Sequence, residues 1–356
     1  MTYTDEVRGF DPNQPGDAGT LWGLPFSVDE AALVIVPVPW EVTVSFGSGT
    51  ASAPSAVVEA SIQVDLFNES FPETWKRGIA MAPIPAELEQ LNAAMRPKAI
   101  EIIRALSSES STPAANTLAE VNAACETMVA RVRSDAAALL DQGKLVGVLG
   151  GDHSVPLGLL QALDERLDEP DGFGILHVDA HCDLREAYEG FVHSHASIMR
   201  NALELSGLSK LVQVGVRDYC DEEIDVVAQS GGTIELVTDQ ALSRRRFRGE
   251  TWSVVVDDIL RGLPENVYVS FDIDGLDPAL CPGTGTPVPG GLGFEEAVYL
   301  VERLALTRRK IIGFDLSEVS SSGERGSAWD ANVGARLLYK LSCSALSTQR
   351  PLEEAR

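Results

Sequence analysis

Side chains that can bind a metal occupy every second position of the stretch Asp-Ala-His-Cys-Asp at residues 179–183. A mostly apolar run leads into this stretch and predicts a strand over residues 173–180. Alternate residues of a strand point to the same side, so we expect Asp179, His181 and Asp183 to converge. All five histidines of the chain fall between positions 153 and 195. The spacing predicts a metal-binding site at the end of a strand.

Further polar side chains follow other short apolar runs. His153, Glu318 and the pair Asp272 and Asp274 each come at or just after such a run, and His153 follows through the turn Gly-Gly. The runs predict strands over residues 145–149, 311–316 and 267–273. Ligands of doubly wound sheets bind at the carboxyl ends of the strands, so we expect all of these side chains to meet at one edge.

The number and type of these side chains indicate more than one metal ion. A single zinc site needs three or four ligands, and a set rich in carboxylates suits hard-to-borderline cations such as Mn²⁺. Without a cation, burying so many carboxylates would cost several kcal/mol each. The alternative, a solvated acidic loop cluster, fits poorly because the residues lie between apolar strands and turns. The candidate ligands of a two-metal site are His153, Asp179, His181, Asp183, Asp272 and Asp274.

The motifs that are present and absent indicate which reaction a two-metal site would catalyse. Paired cations about 3.5–4 Å apart lower the pKa of a bridging water and aim the resulting hydroxide at a carbon or phosphorus centre. The sequence contains no P-loop, no G-x-S-x-G elbow and no basic phosphate clamp, which disfavours phosphoryl transfer. Glu318, which is not needed as a ligand, favours instead a cationic carbon electrophile such as a guanidinium.

Composition excludes several classes of partner. The 356 residues carry a formal net charge of −25, so nucleic acid and anionic membrane surfaces would be repelled, whereas a cationic substrate would be attracted. A heavily solvated, salt-adapted surface is the alternative reading of this charge. The five cysteines are spread singly, which does not suggest a disulfide framework or a structural zinc site. We see no secretory signal and no bilayer-spanning run, so we expect a cytoplasmic protein.

The order of predicted elements favours one α/β domain. From residue 145 onward, strands alternate regularly with helices, which predicts a three-layer α/β/α fold with a mostly parallel central sheet. An irregular N-terminal arm over residues 1–30 precedes this domain, predicted at 31–346, and a tail follows at 347–356. The Gly/Ser/Thr-rich loop at 40–54, after a first strand, is either a pocket wall or a plain connector. Further predictions are helices near 97–106, 118–142 and 331–342, a surface loop at 107–113, and mainly loops at 67–97.

Three ordered segments resemble the signature blocks of the ureohydrolase (arginase/agmatinase) family. They are Gly-Gly-Asp-His-Ser at 150–154, Asp-Ala-His-Cys-Asp at 179–183 and Ser-Phe-Asp-Ile-Asp-Gly-Leu-Asp-Pro at 270–278. The stretch at 281–291 is similar to the family's substrate-side loop, and the resemblance runs from about residue 31 to 345. It implies a binuclear centre of Mn²⁺ or Ni²⁺, hydrolysis of a guanidino group to urea plus ammonia or an amine, and a homo-oligomer, a trimer or hexamer.

The resemblance also implies roles for individual residues. Asp179 and Asp272 would bridge two metal ions. His153 and Asp183 would complete the ligands of one ion, and His181 and Asp274 those of the other. Asp183 would also accept the proton of the attacking hydroxide.

The resemblance also implies which residues other than the metal ligands bind the substrate and transfer protons. Glu318 would pair with the guanidinium. His195 would protonate the leaving amine, with His193 as its rival for that role. His177 would support the site from within its strand without being a ligand.

The substrate is the least defined part of this interpretation. Residues 188–195 lack the Ser/Asn-bearing pattern with which arginases hold an α-carboxylate, which disfavours arginine and formiminoglutamate. The segments 40–45 and 193–197 resemble an agmatinase-like branch that includes nickel-dependent guanidine hydrolases. We therefore expect guanidine or an alkylguanidine, with agmatine as the alternative. Trp329 is either a cation–π cap on a short pocket or a core residue at a helix start. A single-metal deacetylase is a further alternative, but it would not need Asp274 or the block around His153. A silent subunit of a hetero-oligomer would normally have lost ligands, and none is missing here.

Overall fold

The computed structural model describes residues 7, 10–14, 16, 18–107, 115–167, 172–320 and 327–349. Within these ranges, short apolar runs form eight strands: β1 (Leu33–Val38), β2 (Ile79–Met81), β3 (Leu145–Gly150), β4 (Phe173–Val178), β5 (Leu208–Val216), β6 (Ile234–Thr238), β7 (Asn266–Asp272) and β8 (Lys310–Ser317). They form one sheet in the order β2-β1-β3-β8-β7-β4-β5-β6, and all of its pairings are parallel. The predicted α/β domain with a parallel central sheet is confirmed.

Ten α-helices in the same ranges connect and cover the strands. They are α1 (Ala53–Ser61), α2 (Ala86–Leu106), α3 (Ala115–Leu140), α4 (Leu157–Asp164), α5 (Ile198–Ala202), α6 (Asp221–Gln229), α7 (Asp239–Phe247), α8 (Trp252–Leu260), α9 (Phe294–Ala305) and α10 (Ser327–Ser347). Every residue of β1, β3 and β4 is buried, so both faces of the sheet are covered, as continuous apolar strands require. Within the described ranges, no helix has the length and apolar character needed to cross a membrane.

The strand order decides where the site forms. β3, β8, β7 and β4 are consecutive neighbours at the centre of the sheet, and parallel pairing aligns their carboxyl ends. The four chain segments that carry the candidate ligands and Glu318 leave from these ends. Strands separated by more than 100 residues in sequence therefore deliver their polar side chains to one place.

Two elements differ from the prediction. Residues 67–97 were expected to form loops, with a helix only from 97, but α2 begins at Ala86 and passes through Pro97. Its buried residues Leu88, Met95, Ala99 and Ile102 keep a helical spacing across the proline, which lies on the exposed side. The helix α7 was also missed, because its charged sequence buries only Leu242. The expected loop at 107–113 and the tail lie almost wholly outside the described residues.

Candidate metal centre

The turn after β3 delivers His153 to the centre of the site. A Cβ at Gly151 would lie 2.0 Å from the carbonyl oxygen of Trp40, so this close approach of two backbones requires glycine. The Nδ1 of His153 lies 3.0, 3.1 and 3.3 Å from carboxylate oxygens of Asp179, Asp183 and Asp272. One ring nitrogen carries at most one proton and cannot satisfy three carboxylates, so the arrangement suits a bound cation.

A second cluster shares one residue with the first. The Nδ1 of His181 lies 3.3 Å from Oδ1 of Asp179 and 3.2 Å from Oδ2 of Asp274. The other oxygen of Asp179, Oδ2, faces His153, so the two oxygens of one carboxylate belong to different clusters. Asp272 reaches the first cluster through Oδ2, while its Oδ1 accepts a hydrogen bond from the backbone N–H of Asp274 at 2.8 Å.

Burial and close contact shift the pKa values of the clustered carboxylates and imidazoles. It raises the pKa of Asp272 well above its ordinary value, and the neighbouring charges of Asp274 and Asp179 raise it further. Burial likewise raises the pKa of Asp183 to about 6. Burial opposes protonation of His181, but the carboxylates of Asp274 and Asp179 outweigh it and raise its pKa to about 12. These carboxylates and imidazoles form an N/O donor set without a thiolate, which fits two divalent cations of the Mn²⁺ or Ni²⁺ type.

Side chains beneath the centre orient the ligands. The amide of Gln213 donates to Nδ1 of His177 at 2.9 Å, so the opposite ring nitrogen, 2.9 Å from Asp179, carries the proton. The Nε2 of His153 lies 2.9 Å from the Ser270 hydroxyl. Sequence reasoning placed His177 in a supporting role but missed Gln213 and Ser270. The only signal for Ser270 was its position two residues before Asp272, on the same side of β7.

Glu318 and His195 lie next to each other at the edge of the centre. Glu318 takes the left-handed backbone conformation (φ 63°), which turns the chain sharply after β8. Its Oε1 accepts a hydrogen bond from the backbone N–H of His153 at 2.9 Å and lies 3.7 Å from Nδ1 of His195. Burial and the charge of Asp152 raise the pKa of Glu318 well above its ordinary value. A cationic ligand beside Glu318 would restore the charged carboxylate.

His195, not His193, faces the cleft above the centre. Burial and the charge of His181 lower the pKa of His195 to about 3. Its Nε2 lies 3.4 Å from the Ser45 hydroxyl. His193 is half-buried, its Nδ1 has no hydrogen-bond partner among the described residues, and it does not line the cleft.

The cleft itself has a volume of about 300 Å³. His181, Asp183 and His195 are among the residues that line it. The loop after β1, considered as either a pocket wall or a connector, contributes Ser45 and Phe46. The stretch 281–291, interpreted as a substrate-side loop, contributes residues 286–288, and the segment before His195 contributes Tyr188.

Trp329 does not reach this cleft. Its side chain is 50% exposed at the start of α10, and its indole N–H donates to the carbonyl oxygen of Ala279 at 3.1 Å. It is therefore neither a cap over the guanidino position nor a core residue in the structure. The hydrogen bond to Ala279 ties the ring to the segment just before residues 281–291.

Comparisons with known proteins agree with this geometry. The Arginase family model matches residues 31–343. An N(1)-aminopropylagmatine ureohydrolase of Synechocystis sp. is 31% identical over 315 residues, covering 88% of this chain and 89% of that protein. The enzyme of the same name from Thermus thermophilus is 33% identical over 296 residues, covering 83% and 85%. The crystal structure of an agmatine ureohydrolase of Thermoplasma volcanium superposes with a TM-score of 0.69 at 24% identity, covering 97% and 98% of the two chains, and shows the shared fold.

Proposed function

The chain belongs to the arginase family and is a hydrolase of guanidino C–N bonds, and from that premise we propose that its substrate is an agmatine-type guanidino amine. The products would be urea and the amine. The observation that carries the proposal is the sharing of Asp179 between two imidazole–carboxylate clusters, directly below a cleft that His195 lines. Such a shared carboxylate suits a binuclear centre.

Two divalent cations fit the donor set. His153, Asp179, Asp183 and Asp272 would hold one, and Asp179, His181, Asp272 and Asp274 the other. When bound, the cations would supply a water that is acidic enough to lose its proton near neutral pH.

The protein's own residues bind the substrate and move protons. The Glu318 carboxylate would pair with the guanidinium and hold its central carbon over the metal centre. Water oxygen bonds to that carbon, and the bond from carbon to the leaving nitrogen breaks. Asp183 would accept a proton of the attacking water. His195, 3.7 Å from Glu318, would carry a proton to the leaving nitrogen, which departs as an amine.

An exposed carboxylate in the cleft wall supports a substrate with a cationic tail. Asp218 lines the cleft, and its side chain makes no ion pair with any described residue. The net charge of −25 also favours a dication. The relatives named as aminopropylagmatine ureohydrolases are consistent with a substrate of this class.

A second candidate is guanidine or a short alkylguanidine, and one observation favours it. The guanidinium of Arg185 lies 5.0 Å over the ring of Tyr188, and both residues line the cleft. A fixed cation there would repel a distal ammonium group. The Tyr188 ring meets His195 edge-on at 6.4 Å, close to the place where the guanidino group would bind.

A substrate panel tests the proposal and separates the two candidates. Metal-stripped protein would be reloaded with Mn²⁺ or Ni²⁺ and assayed for urea release from guanidine, methylguanidine, agmatine, aminopropylagmatine and arginine. We expect the highest kcat/KM for agmatine or aminopropylagmatine. Higher values for guanidine or methylguanidine would select the second candidate. Protein that holds two metal equivalents yet releases no urea from any compound would refute both.

A matched variant probes the cationic tail. Asp218→Asn should lower kcat/KM for agmatine by about twofold to fivefold, the range of an exposed ion pair, and leave methylguanidine hydrolysis unchanged. Equal effects on the two substrates would show that Asp218 does not contact the tail.

A further inference from the structure

Side chains on one face of α2 hydrogen-bond to the backbone of the loop after β1, which forms part of the cleft wall. Asn92 and Arg96 lie four residues apart on this helix, so their side chains emerge on the same side. The Oδ1 of Asn92 accepts a hydrogen bond from the backbone N–H of Glu41 at 2.8 Å. The Nη1 of Arg96 donates to the carbonyl oxygens of Val42 and Val44 at 3.1 and 2.6 Å. We call Asn92 and Arg96 the α2 clamp, since together they hold three backbone groups of the loop after β1.

The clamped loop touches the catalytic machinery at its next residue. Ser45 follows Val44 directly, and its hydroxyl lies 3.4 Å from Nε2 of His195. The backbone N–H of Gly47 donates to the carbonyl oxygen of Gly285 at 3.1 Å, which joins the loop to the opposite wall. A shift of the loop would therefore move the Ser45 hydroxyl away from the His195 ring.

The charges around Arg96 explain why an arginine is placed there. Burial lowers the pKa of its guanidinium, while the carboxylates of Glu41, Asp152 and Glu189 act in the opposite direction. These carboxylates belong to three different segments around the cleft. One buried oxygen each of Asp152 and Glu189 has no hydrogen-bond partner among the described residues. Arg96 is thus a counter-charge for all three segments as well as a donor to the loop.

We propose that Arg96 is a positioning residue of the active site, acting through the loop after β1 and Ser45 on His195. The kinetic part of this proposal rests on the proposed function. The mechanical part, that Arg96 holds the loop, does not.

The kinetic test uses a double-mutant cycle on the metal-loaded protein. Arg96→Met should lower kcat by about 10- to 100-fold, the size expected when a catalytic group is displaced by about 1 Å, with KM and metal content nearly unchanged. In a Ser45→Ala background the same substitution should cost less than about threefold, because the contact through which it acts is already lost. Fully additive effects would overturn the route through Ser45.

Arg309 offers a matched control. It is also a half-buried arginine that holds loop carbonyls, those of Leu263 at 3.0 Å and Arg261 at 3.4 Å, but this loop lies away from the cleft. Arg309→Met should leave kcat and KM unchanged. A loss of kcat equal to that of Arg96→Met would reduce both arginines to a general structural role and overturn the proposal.

Hydrogen exchange tests the mechanical part without any substrate. In metal-loaded protein, Arg96→Met should speed amide exchange of peptides covering 41–49, and Asn92→Ala should do so to a smaller degree. Arg309→Met should leave these peptides unchanged. If wild-type protein released no urea, the proposed function would fail, but the exchange result would still decide whether Arg96 holds the loop. Unchanged exchange in Arg96→Met would overturn the clamp.

Discussion

Glu318→Gln removes the charge proposed to pair with the guanidinium while preserving the local structure. The glutamine side-chain oxygen can still accept the hydrogen bond from the backbone N–H of His153, which is 2.9 Å long in the structure. Glu318 is 2% exposed, so its contact with a cation would be made in a desolvated site. Losing one partner of a buried, hydrogen-bonded charge pair costs about 2–5 kcal/mol. At about 1.4 kcal/mol per tenfold, kcat/KM should fall by between about 30-fold and several thousand-fold.

The assay measures steady-state urea release together with metal content and thermal unfolding. Two metal equivalents should remain, because Glu318 is not among the proposed ligands. Glu223→Gln is the control, since Glu223 is buried like Glu318 and lines the cleft, but its oxygens accept from the backbone N–H groups of Leu184 and Cys220. This control should lower stability but change kcat/KM less than about threefold. A Glu318→Gln enzyme with kcat/KM within threefold of wild type would refute the proposed pairing.

Three further predictions address the ligands, the proton transfer and pH. Asp272→Ala should abolish urea release and lower metal content together, measured by elemental analysis; an active, metal-free variant would contradict its role as a ligand. His195→Asn should lower kcat by about 10²–10⁴-fold while His193→Asn changes it little, and the opposite ranking would reassign the proton carrier. Burial raises the pKa of Asp330 from 3.8 to about 6, so the folded state binds this proton more tightly and stability falls as pH rises through that window. Asp330→Asn cannot ionise, so its free energy of unfolding relative to wild type should rise as pH increases from about 4 to about 6 in denaturant titrations, and a constant difference across pH would refute this.

The strands could be predicted from sequence because both faces of the sheet are covered by apolar side chains. A strand of a parallel sheet covered on both faces must be apolar at nearly every position, and β1 and β3 show this as continuous runs. The helix α2 was harder to predict, because Pro97 and three earlier prolines in the segment, at 72, 83 and 85, are ordinary signs of a loop. The burial of Leu88 and Met95 against the rest of the molecule outweighs that local preference, and it depends on tertiary packing.

The sequence also locates the candidate ligands, but it does not show the contacts that support them. Polar residues that end apolar strands, such as Asp179 and Asp272, are visible as breaks in the pattern. The contact of His153 with Ser270 depends on β3, β8 and β7 being neighbours in that order, which no local pattern specifies. The hydrogen bonds from Arg96 to the loop after β1 are likewise not visible in any local pattern, because Arg96 and the loop are far apart in sequence.

Asp179 explains why the site needs this particular sheet order. Its two oxygens face different clusters, so its carboxylate must be held rigidly, and the proton on His177 fixes it from below. That imidazole is in turn oriented by Gln213 on β5, the strand on the opposite side of β4 from β7. The first cluster then takes Asp272 from the end of β7 itself. The proposed bridging ligand that follows β4 therefore depends on β5, which carries Gln213, on one side and on β7, which carries Asp272, on the other. An edge strand has only one neighbour and could not provide both.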